Sequence, residues 1–434
     1  MVQHRLRVVV VTTAVLVAAP AAAAPPPAPL RSIADILALP PDEVAKRPPA
    51  VIEGLVTNCS KHQSSLVVEA EGDAIFVSAL STAVHAGPGP IPTIEPGCLV
   101  EIEGEVIPGG YSPTLFPRRI RVTGRRPLPP AEPADLARLF RGVDIGHRVI
   151  LEGVVQGIAR TKGDRLTLAL DTGVGQLPVE IVAPAVDPPA GRLIDAAIRV
   201  TAIVGAIYNS RGQFISPRAG AVNHADIAVL MPAPTDPFAG ETIPLKMLAR
   251  FQHRPRSGHR VCTEGVVSYA APGLLYLAAD EAGVRVELLA AGSEAAFDGE
   301  RFVAGDRVRV AGFIDMSRRI AQLTGAVARR VASGPPPQPQ PLEVAEIFRH
   351  AEKLRQLAWM QQPGSHDGQL VRCRGVVESV SPGADRLVVA LAAENDRWFA
   401  EFGPPAADAA ALLKVGSEVD IAGILVTDID AQRL

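Results

Sequence analysis

"RVILEGVVQG" (148–157) decides the fold, because the chain writes nearly the same strand four times. "AVIEGLVTN" stands at 50–58, "RVCTEGVVS" at 260–268 and "LVRCRGVVE" at 370–378. Their glycines, Gly54, Gly153, Gly265 and Gly375, are 99, 112 and 110 residues apart. A second motif follows each: "EPGCLVEIEGEV" (95–106), "DAAIRVTAIVGAI" (195–207), "VAGDRVRVAGFI" (303–314) and "KVGSEVDIAGIL" (414–425). Its glycines are Gly104, Gly205, Gly312 and Gly423, at 50, 52, 47 and 48 residues from their partners. Two motifs that hold this distance through four copies describe a repeated whole domain. The period far exceeds the 20–50 residues of a solenoid unit.

Both motifs have the period of a strand. Val308, Val310 and Phe313 alternate with Arg307, Arg309 and Gly312, one face dry and one wet. A glycine inside a strand weakens it and marks a bulge or a sharp bend, as where a barrel strand curls. The eight motif glycines are therefore expected to be structural. Two shorter strands lie between the motifs, "SSLVVEA" and "AIFVSAL" in the first copy, "GLLYLAAD" and "GVRVELLA" in the third. A short helix is expected over 292–302 and 404–414, and a fifth strand after the second motif, as in "RRIRVTG" (118–124). Strand, strand, strand, helix, strand, strand is the order of the OB-fold barrel. A small sandwich of another topology has the same strand count.

A helix-like segment precedes each copy: "SIADILAL" (32–39), "PADLARLF" (133–140), "IPLKMLARF" (243–251) and "PLEVAEIFRHAEKL" (341–354). Ser32 suits an N-cap, and Pro133, Pro244 and Pro341 suit first helical turns. Pro-rich joints stiffen the links between copies. The expected fold is mainly β, a tandem array of four small OB-like five-stranded barrels, each preceded by a short helix. The expected domains are 31–127, 133–231, 238–333 and 341–434, the last expected to be truncated before its fifth strand is complete.

Residues 1–24 read as an export signal: Arg5 and Arg7, then the apolar "VVVVTTAVLVAA", then "AAAA". An uncleaved anchor is the alternative, although the apolar run is short for a span of about 20 residues. No apolar run of 18 residues follows, so the mature chain is expected outside the cytoplasm, periplasmic or secreted, with no other span.

The layout resembles the exported region of certain bacterial sensor histidine kinases, in which OB-like domains repeat ahead of a membrane helix and a kinase core. "SIADILALPPDEVAKR", "AVIEGLVT", "AIFVSAL", "EPGCLVEIEGEV" and "RRIRVTGRRPLPPAEP" bear the resemblance, which spans about 31–434. It implies a sensory or ligand-binding array, the input region of a two-component system, partnered by a membrane-bound kinase half. The kinase's phosphoacceptor and ATP-binding motifs are absent from these 434 residues.

The residues themselves point to no enzyme, cofactor or metal. His62, His85, His147, His224, His253, His259, His350 and His366 do not cluster, and no HExxH spacing occurs. "QHRPRSGHR" (252–260) reads as a solvated turn around His253 and His259. "DTGVGQ" (171–176) lacks a glycine of the dinucleotide loop. Glu53, Glu152 and Glu264 recur beside the motif glycine, but Arg374 takes that place in the fourth copy, which favours an exposed strand face over catalysis. Single-strand binders combine basic grooves with aromatic platforms. Here aromatics are 4%, net charge is −3, and only "PRRIRVTGRR" (117–126) is basic. Nucleic acid is therefore the least favoured partner, behind a small ligand or a protein, and a secreted spacer is the structural alternative. Cys59 and Cys98, counted from Gly54 and Gly104, fall roughly opposite and form a possible disulfide. Cys262 and Cys373 are expected unpaired.

Overall fold

The first long strand, β1 (Pro49–Cys59), serves two neighbours in turn. The structure is a computed structural model that describes residues 28–59, 65–78, 94–160, 165–182, 190–222, 226–240, 242–248, 258–279, 282–289, 301–315, 322–348, 366–383, 386–394, 396–403 and 413–426. The expected signal at 1–24, and nearly all of the helices expected at 292–302 and 404–414, lie outside these residues.

The chain divides into two units, 1–128 and 129–434. In the first, β1 is followed by β2 (Ser65–Ala70), β3 (Asp73–Ser78), β4 (Cys98–Ile107) and β5 (Thr114–Arg125). The early part of β1 pairs with β4, and its end, past a bulge between Val56 and Asn58, pairs with β2. β5 pairs antiparallel with β4 and parallel with β3, closing the barrel in the order β1-β2-β3-β5-β4. That Greek-key order is OB-like. Strand alternation sends Ile52, Val68, Ile75, Ile102 and Leu115 inward, all at most 1% exposed. Two short helices, α1 (Ile33–Leu37) and α2 (Pro41–Ala45), add Ile33, Ile36 and Val44 to that core. Ser32 caps α1 by accepting the Asp35 amide.

Among the described residues the second unit holds three sheets. One contains β6 (Glu132–Pro133), β7 (Arg148–Arg160), β8 (Arg165–Asp171), β9 (Gln176–Val182), β10 (Ala197–Tyr208), β11 (Phe214–Val222) and β12 (Ile227–Met231). Its path β7-β8-β9-β11-β10 returns to β7, while β6 and β12 add outside that ring. The next is a closed barrel of β13 (Val261–Ala271), β14 (Leu274–Ala279), β15 (Ala282–Leu288), β16 (Asp306–Asp315) and β17 (Gln322–Ser333), in the first barrel's order. The last contains β18 (Gln340–Pro341), β19 (Leu370–Pro382), β20 (Leu387–Ala393), β21 (Asp396–Phe402) and β22 (Glu418–Ile424). There β22 pairs with β19, and no strand joins β21 to β22 among the described residues. Among the described residues no sheet crosses a Pro-rich joint.

The chain is thus mainly β and OB-like, but four closed five-stranded barrels are not what it shows. Two sheets close with five strands, one ring carries two further strands, and one sheet stays open among the described residues.

The entry to each copy also differs from expectation. Pro133 and Pro341 are not in helices. They lie in the two-residue strands β6 and β18, which pair parallel with the first long strand of their copy. Leu30 and Thr242 make the same parallel bridge to Ala50 and Cys262. Proline suits such an edge because it has no amide to donate. The helix in the second copy, α3 (Leu136–Leu139), starts later, capped by Asp135. Pro244 caps a 3-10 turn, Leu245–Met247, and residues 344–348 are helical in the fourth copy.

Candidate functional site

The motif glycines sit at matching places in the pairing. Gly54, Gly153, Gly265 and Gly375 face Val100, Ile198, Val308 and Val419 on the partner strand. A Cβ on any of the four would press on the neighbouring hairpin strand: Glu69 O at 2.8 Å for Gly54, Ala278 O at 3.3 Å for Gly265, Ala392 O at 3.1 Å for Gly375, and closer still on Asp171 O for Gly153. The glycine lets the strand curl against its neighbour. In the second motif Gly104, Gly312 and Gly423 face Ala50, Val261 and Val371. Gly205 does not share that place. The register there puts Ala202 opposite Val149, four residues before Gly153, so Ala202 is the counterpart and Gly205 lies three residues further on.

The charge beside the first glycine has a cross-strand explanation. Glu152 accepts from Arg199 at 2.7 Å, and Glu264 pairs with Arg307 at 3.5 Å. In the fourth copy the signs exchange: Arg374 lies opposite Asp420, 3.6 Å apart. Glu53 faces Glu101, whose carboxylate takes a two-pronged bond from Arg121 at 3.2 and 2.9 Å. That bond holds the Glu101 carboxyl below the usual range.

Four of the five arginines in the basic segment 117–126 meet carboxylates. Arg118 pairs with Glu105, Arg119 with Glu103, Arg121 with Glu101 and Arg125 with Glu95. A phosphate backbone is gripped by arginines that release counterions. Here their partners are already carboxylates of β4 and the turn before it.

A polar cleft of about 230 Å³ in the first unit is lined by Arg31, Ser32, Glu53, Glu71 and Asp73 among others. It is smaller than the roughly 300–1,000 Å³ of ordinary ligand sites. Among the described residues no three His, Cys, Asp or Glu side chains gather as a metal would need. "DTGVGQ" forms the β8–β9 hairpin turn: Asp171 Oδ1 accepts from the Gly173 amide, Thr172 Oγ1 donates to Gly175 O, and Gly173 has φ +79°.

His259 is not part of a solvated turn. Its Nδ1 lies 2.8 Å from Oδ1 of Asp195, a residue of the second copy that is only 2% exposed. The same oxygen accepts the Arg260 amide at 3.2 Å. The Arg260 guanidinium donates to Gly325 O at 2.9 Å and lies 5.0 Å over the Phe313 ring. Burial pushes the Arg260 pKa down, against the pull of Asp195. Phe313 is fully buried between the copies, against Val154 and Ile194. Beside it, Gln156 Nε2 donates to Asp171 and to Gly258 O. The second and third copies are therefore joined by a packed seam. Sequence missed it because its partners lie more than 60 residues apart. No local signal in the sequence marks it; in the structure Asp195 stands out by its positive φ (+74°), unusual for a residue with a side chain.

His147 and His366 lie in separate copies, and His62, His85, His224, His253 and His350 fall outside the described residues. All four cysteines are thiols. Cys98 is not directly opposite Cys59. Leu55 pairs with Leu99, so Val56 falls against Cys98, and Cys59 pairs with Leu66 of β2. Burial raises the Cys59 pKa, and the nearby Cys98 and Glu95 add to it. Among the described residues no helix is long and apolar enough to cross a membrane.

No family model matches the chain and no curated protein matches it. Solved structures share little. An aspartyl tRNA synthetase from Entamoeba histolytica is 16% identical over 24% of this chain and 22% of its own, with a TM-score of 0.19. The tetrameric p202 HIN2 is 9% identical over 43% of this chain and 95% of its own, at 0.21. A murine DNA binding protein bound with ds DNA is 14% identical over 43% and 99%, at 0.20. At such scores these similarities carry no argument about function.

Proposed function

We propose that the chain is an exported binding array of four OB-like domains, each near 100 residues, with no catalytic centre of its own. It acts through contacts with a small ligand or a protein, as the sensory input of a two-component system whose kinase half lies in the membrane. The fourfold repeat, the residues 1–24 and the resemblance to exported sensor regions support it. One observation separates it from nucleic-acid binding: Arg118, Arg119, Arg121 and Arg125 each hold a carboxylate partner. A secreted spacer remains the second reading, favoured by the packed seam at Asp195 and His259, which holds two copies together.

Fusing residues 1–30 to a phosphatase that is active only outside the cytoplasm tests export, and an inactive fusion overturns it. Fluorescence anisotropy of the purified chain with single-stranded DNA at low salt tests the partner. Saturable binding that falls steeply with salt would reverse the assignment. Crosslinking to a membrane-bound kinase in cells separates sensor from spacer.

A further inference from the structure

Four turns hold one place in the repeat. Val100, Ile198, Val308 and Val419 face the first motif glycine, and the residues three before them are Gly97, Asp195, Gly305 and Gly416. All four have positive φ, +95°, +74°, +98° and +85°. Their amides make the same bond, to the carbonyls of Val56, Val155, Val267 and Val377 at 2.8, 2.7, 2.9 and 2.8 Å. Three copies meet this turn with glycine, which enters that region without strain. The second copy meets it with a side chain. Strain of this kind persists only where the surroundings hold it, and it clusters at clamps and switches.

The surroundings of Asp195 show what the side chain does. In the first and third copies the copy's own outgoing chain runs over the turn. The Arg126 amide donates to Gly97 O at 2.9 Å, and the Gly334 amide to Gly305 O at 3.1 Å. A Cβ on Gly97 would lie 3.0 Å from Arg126 O, and one on Gly305 would run into Gly334 O. At Asp195 it is the third copy that comes in. The carboxylate, 2% exposed, takes His259 Nδ1 and the Arg260 amide on a single oxygen.

The entry that Asp195 holds is also repeated. Gly258 stands seven residues before Gly265, as Gly368 does before Gly375, with φ +74° and +77°. Each seats on a hairpin of the preceding copy. A Cβ on Gly258 would lie 2.7 Å from Asp171 Oδ2, and one on Gly368 would lie 2.9 Å from the Gly283 backbone. Asp171 and Ala278 hold the same place, opposite Val154 and Val266, and Ala278 pairs with Gly283. One docking mode, entry turn on hairpin, thus joins the third copy to the second and the fourth to the third.

The fastening differs between the two joints. At the first, Gln156, the bulge residue of β7, donates to Gly258 O at 2.9 Å, and Asp195 holds His259 and Arg260. At the second, Ser268 takes the bulge place and turns inward to Tyr276 O at 3.1 Å. Gly305 stands in place of Asp195, and Gln369 and Leu370 in place of His259 and Arg260.

We propose that these joints are graded. Asp195, His259, Arg260 and Gln156 bolt the third copy to the second as one body, and the fourth copy turns on the third about the Gly283–Gly368 contact. Hinges of this sort are a few element-terminal residues that absorb a change of φ and ψ. Whatever engages the fourth copy is then read as rotation against a fixed pair. The device does not depend on export, on a kinase partner or on the class of ligand.

Distances between spin labels on the full chain test it. Labels carried by unnatural residues at Ala228, Ala332 and Ser379, exposed strand positions of the second, third and fourth copies, leave the cysteines untouched. The Ala228–Ala332 distance distribution should be narrow and the Ala332–Ser379 distribution broad. Asp195→Gly restores the residue that the other copies use, so amide protection in β10 should persist while the Ala228–Ala332 distribution broadens to match the other. His259→Gln with Arg260→Leu gives the third copy the entry of the fourth and leaves the turn unchanged. It should broaden the same distribution, which keeps the test decisive if Asp195→Gly folds poorly. Equal widths at the two joints of the unchanged chain overturn the proposal. So does an Ala228–Ala332 distribution that both variants leave narrow.

Discussion

Arg374 and Asp420 face each other across β19 and β22 in the place where Glu152 and Arg199 face each other across β7 and β10, with the charges exchanged. A catalytic carboxylate does not tolerate such an exchange, whereas a cross-strand ion pair does. The recurring charge beside the motif glycine is therefore read as pairing. Both partners of the Glu152–Arg199 pair are about half exposed, so the interaction contributes only ~0.2–1 kcal/mol. Glu152→Arg should lower stability by that amount, and Glu152→Arg with Arg199→Glu should restore it. Urea unfolding of these two variants, of Arg199→Glu alone and of the unchanged chain measures the cycle. A double reversal no more stable than the single one would show that the two charges do not couple.

Gly104 and Gly423 make a matched pair of substitutions. Gly104→Ala drives a methyl into the carbonyl of Phe116, and backbone cannot step aside cheaply. Overpacking of that kind costs about 1–3 kcal/mol. Gly423→Ala meets nothing and removes a flexible residue from a strand, so it should be neutral or stabilising by up to ~1 kcal/mol. Calorimetry of the two variants should show melting shifts of opposite size or sign. Equal losses would mean that the fourth copy has a fifth strand pressed on Gly423.

The repeat was legible because a strand with one buried face writes itself as alternation, and Gly54, Gly153, Gly265 and Gly375 mark one bend in it. The match failed at Gly205, where a glycine three residues beyond Ala202 imitates the motif. A string of residues does not display which of two nearby positions faces Val149. Pro133 and Pro341 were misread for a related reason, since proline suits a helix start and a sheet edge equally. The seam at Asp195, His259 and Phe313 had no local signature at all. It exists only once two copies pack, and the turn holding His259 looks polar when read alone.

Asp306 predicts an acid limb of stability. It opens β16 and is 1% exposed, and its carboxylate accepts from the Val303 amide, the Ser333 hydroxyl and the Arg330 guanidinium. Burial pushes its pKa up, but these donors outweigh burial, and it lies below the ordinary aspartate value. A depressed folded pKa stabilises fully above the unfolded value of about 3.9, and the contribution is lost as pH falls through the folded value. Asp306→Ala should cost about 1.5–3 kcal/mol at neutral pH, the range for hydrogen bonds to a charge. It should also flatten the loss of stability below pH ~4. An unchanged acid limb would place the titration elsewhere.

The seam between the second and third copies is open to hydrogen exchange. Asp195 is buried and holds both His259 and the Arg260 amide, whereas the His259 side chain is 25% exposed. Asp195→Ala leaves the Arg260 guanidinium buried without its nearby charge, a costly state. It should speed exchange around Val155, Gly325 and Arg260 far more than His259→Ala does. Asp195→Asn keeps an acceptor and tolerates positive φ, so it should fall between them. Equal effects of the three would mean that apolar packing at Phe313 alone holds the copies together.

Cys59 and Cys98 carry the last prediction. A disulfide needs Cα atoms within about 7 Å. The pairing aligns Cys98 with Val56, three residues short of Cys59, and both side chains are thiols. No bond joins the two, and the backbone of Cys59 pairs with Leu66 of β2 rather than with β4. The Cys59 thiol, raised by burial and by Cys98 and Glu95, is also a weak nucleophile at neutral pH. The chain purified under oxidising conditions and unfolded with an alkylating agent should therefore react at all four cysteines, with Cys59 slow before unfolding. Mass spectra with label only on Cys262 and Cys373 would show the bridge, and with it a barrel end that closes differently from the one described.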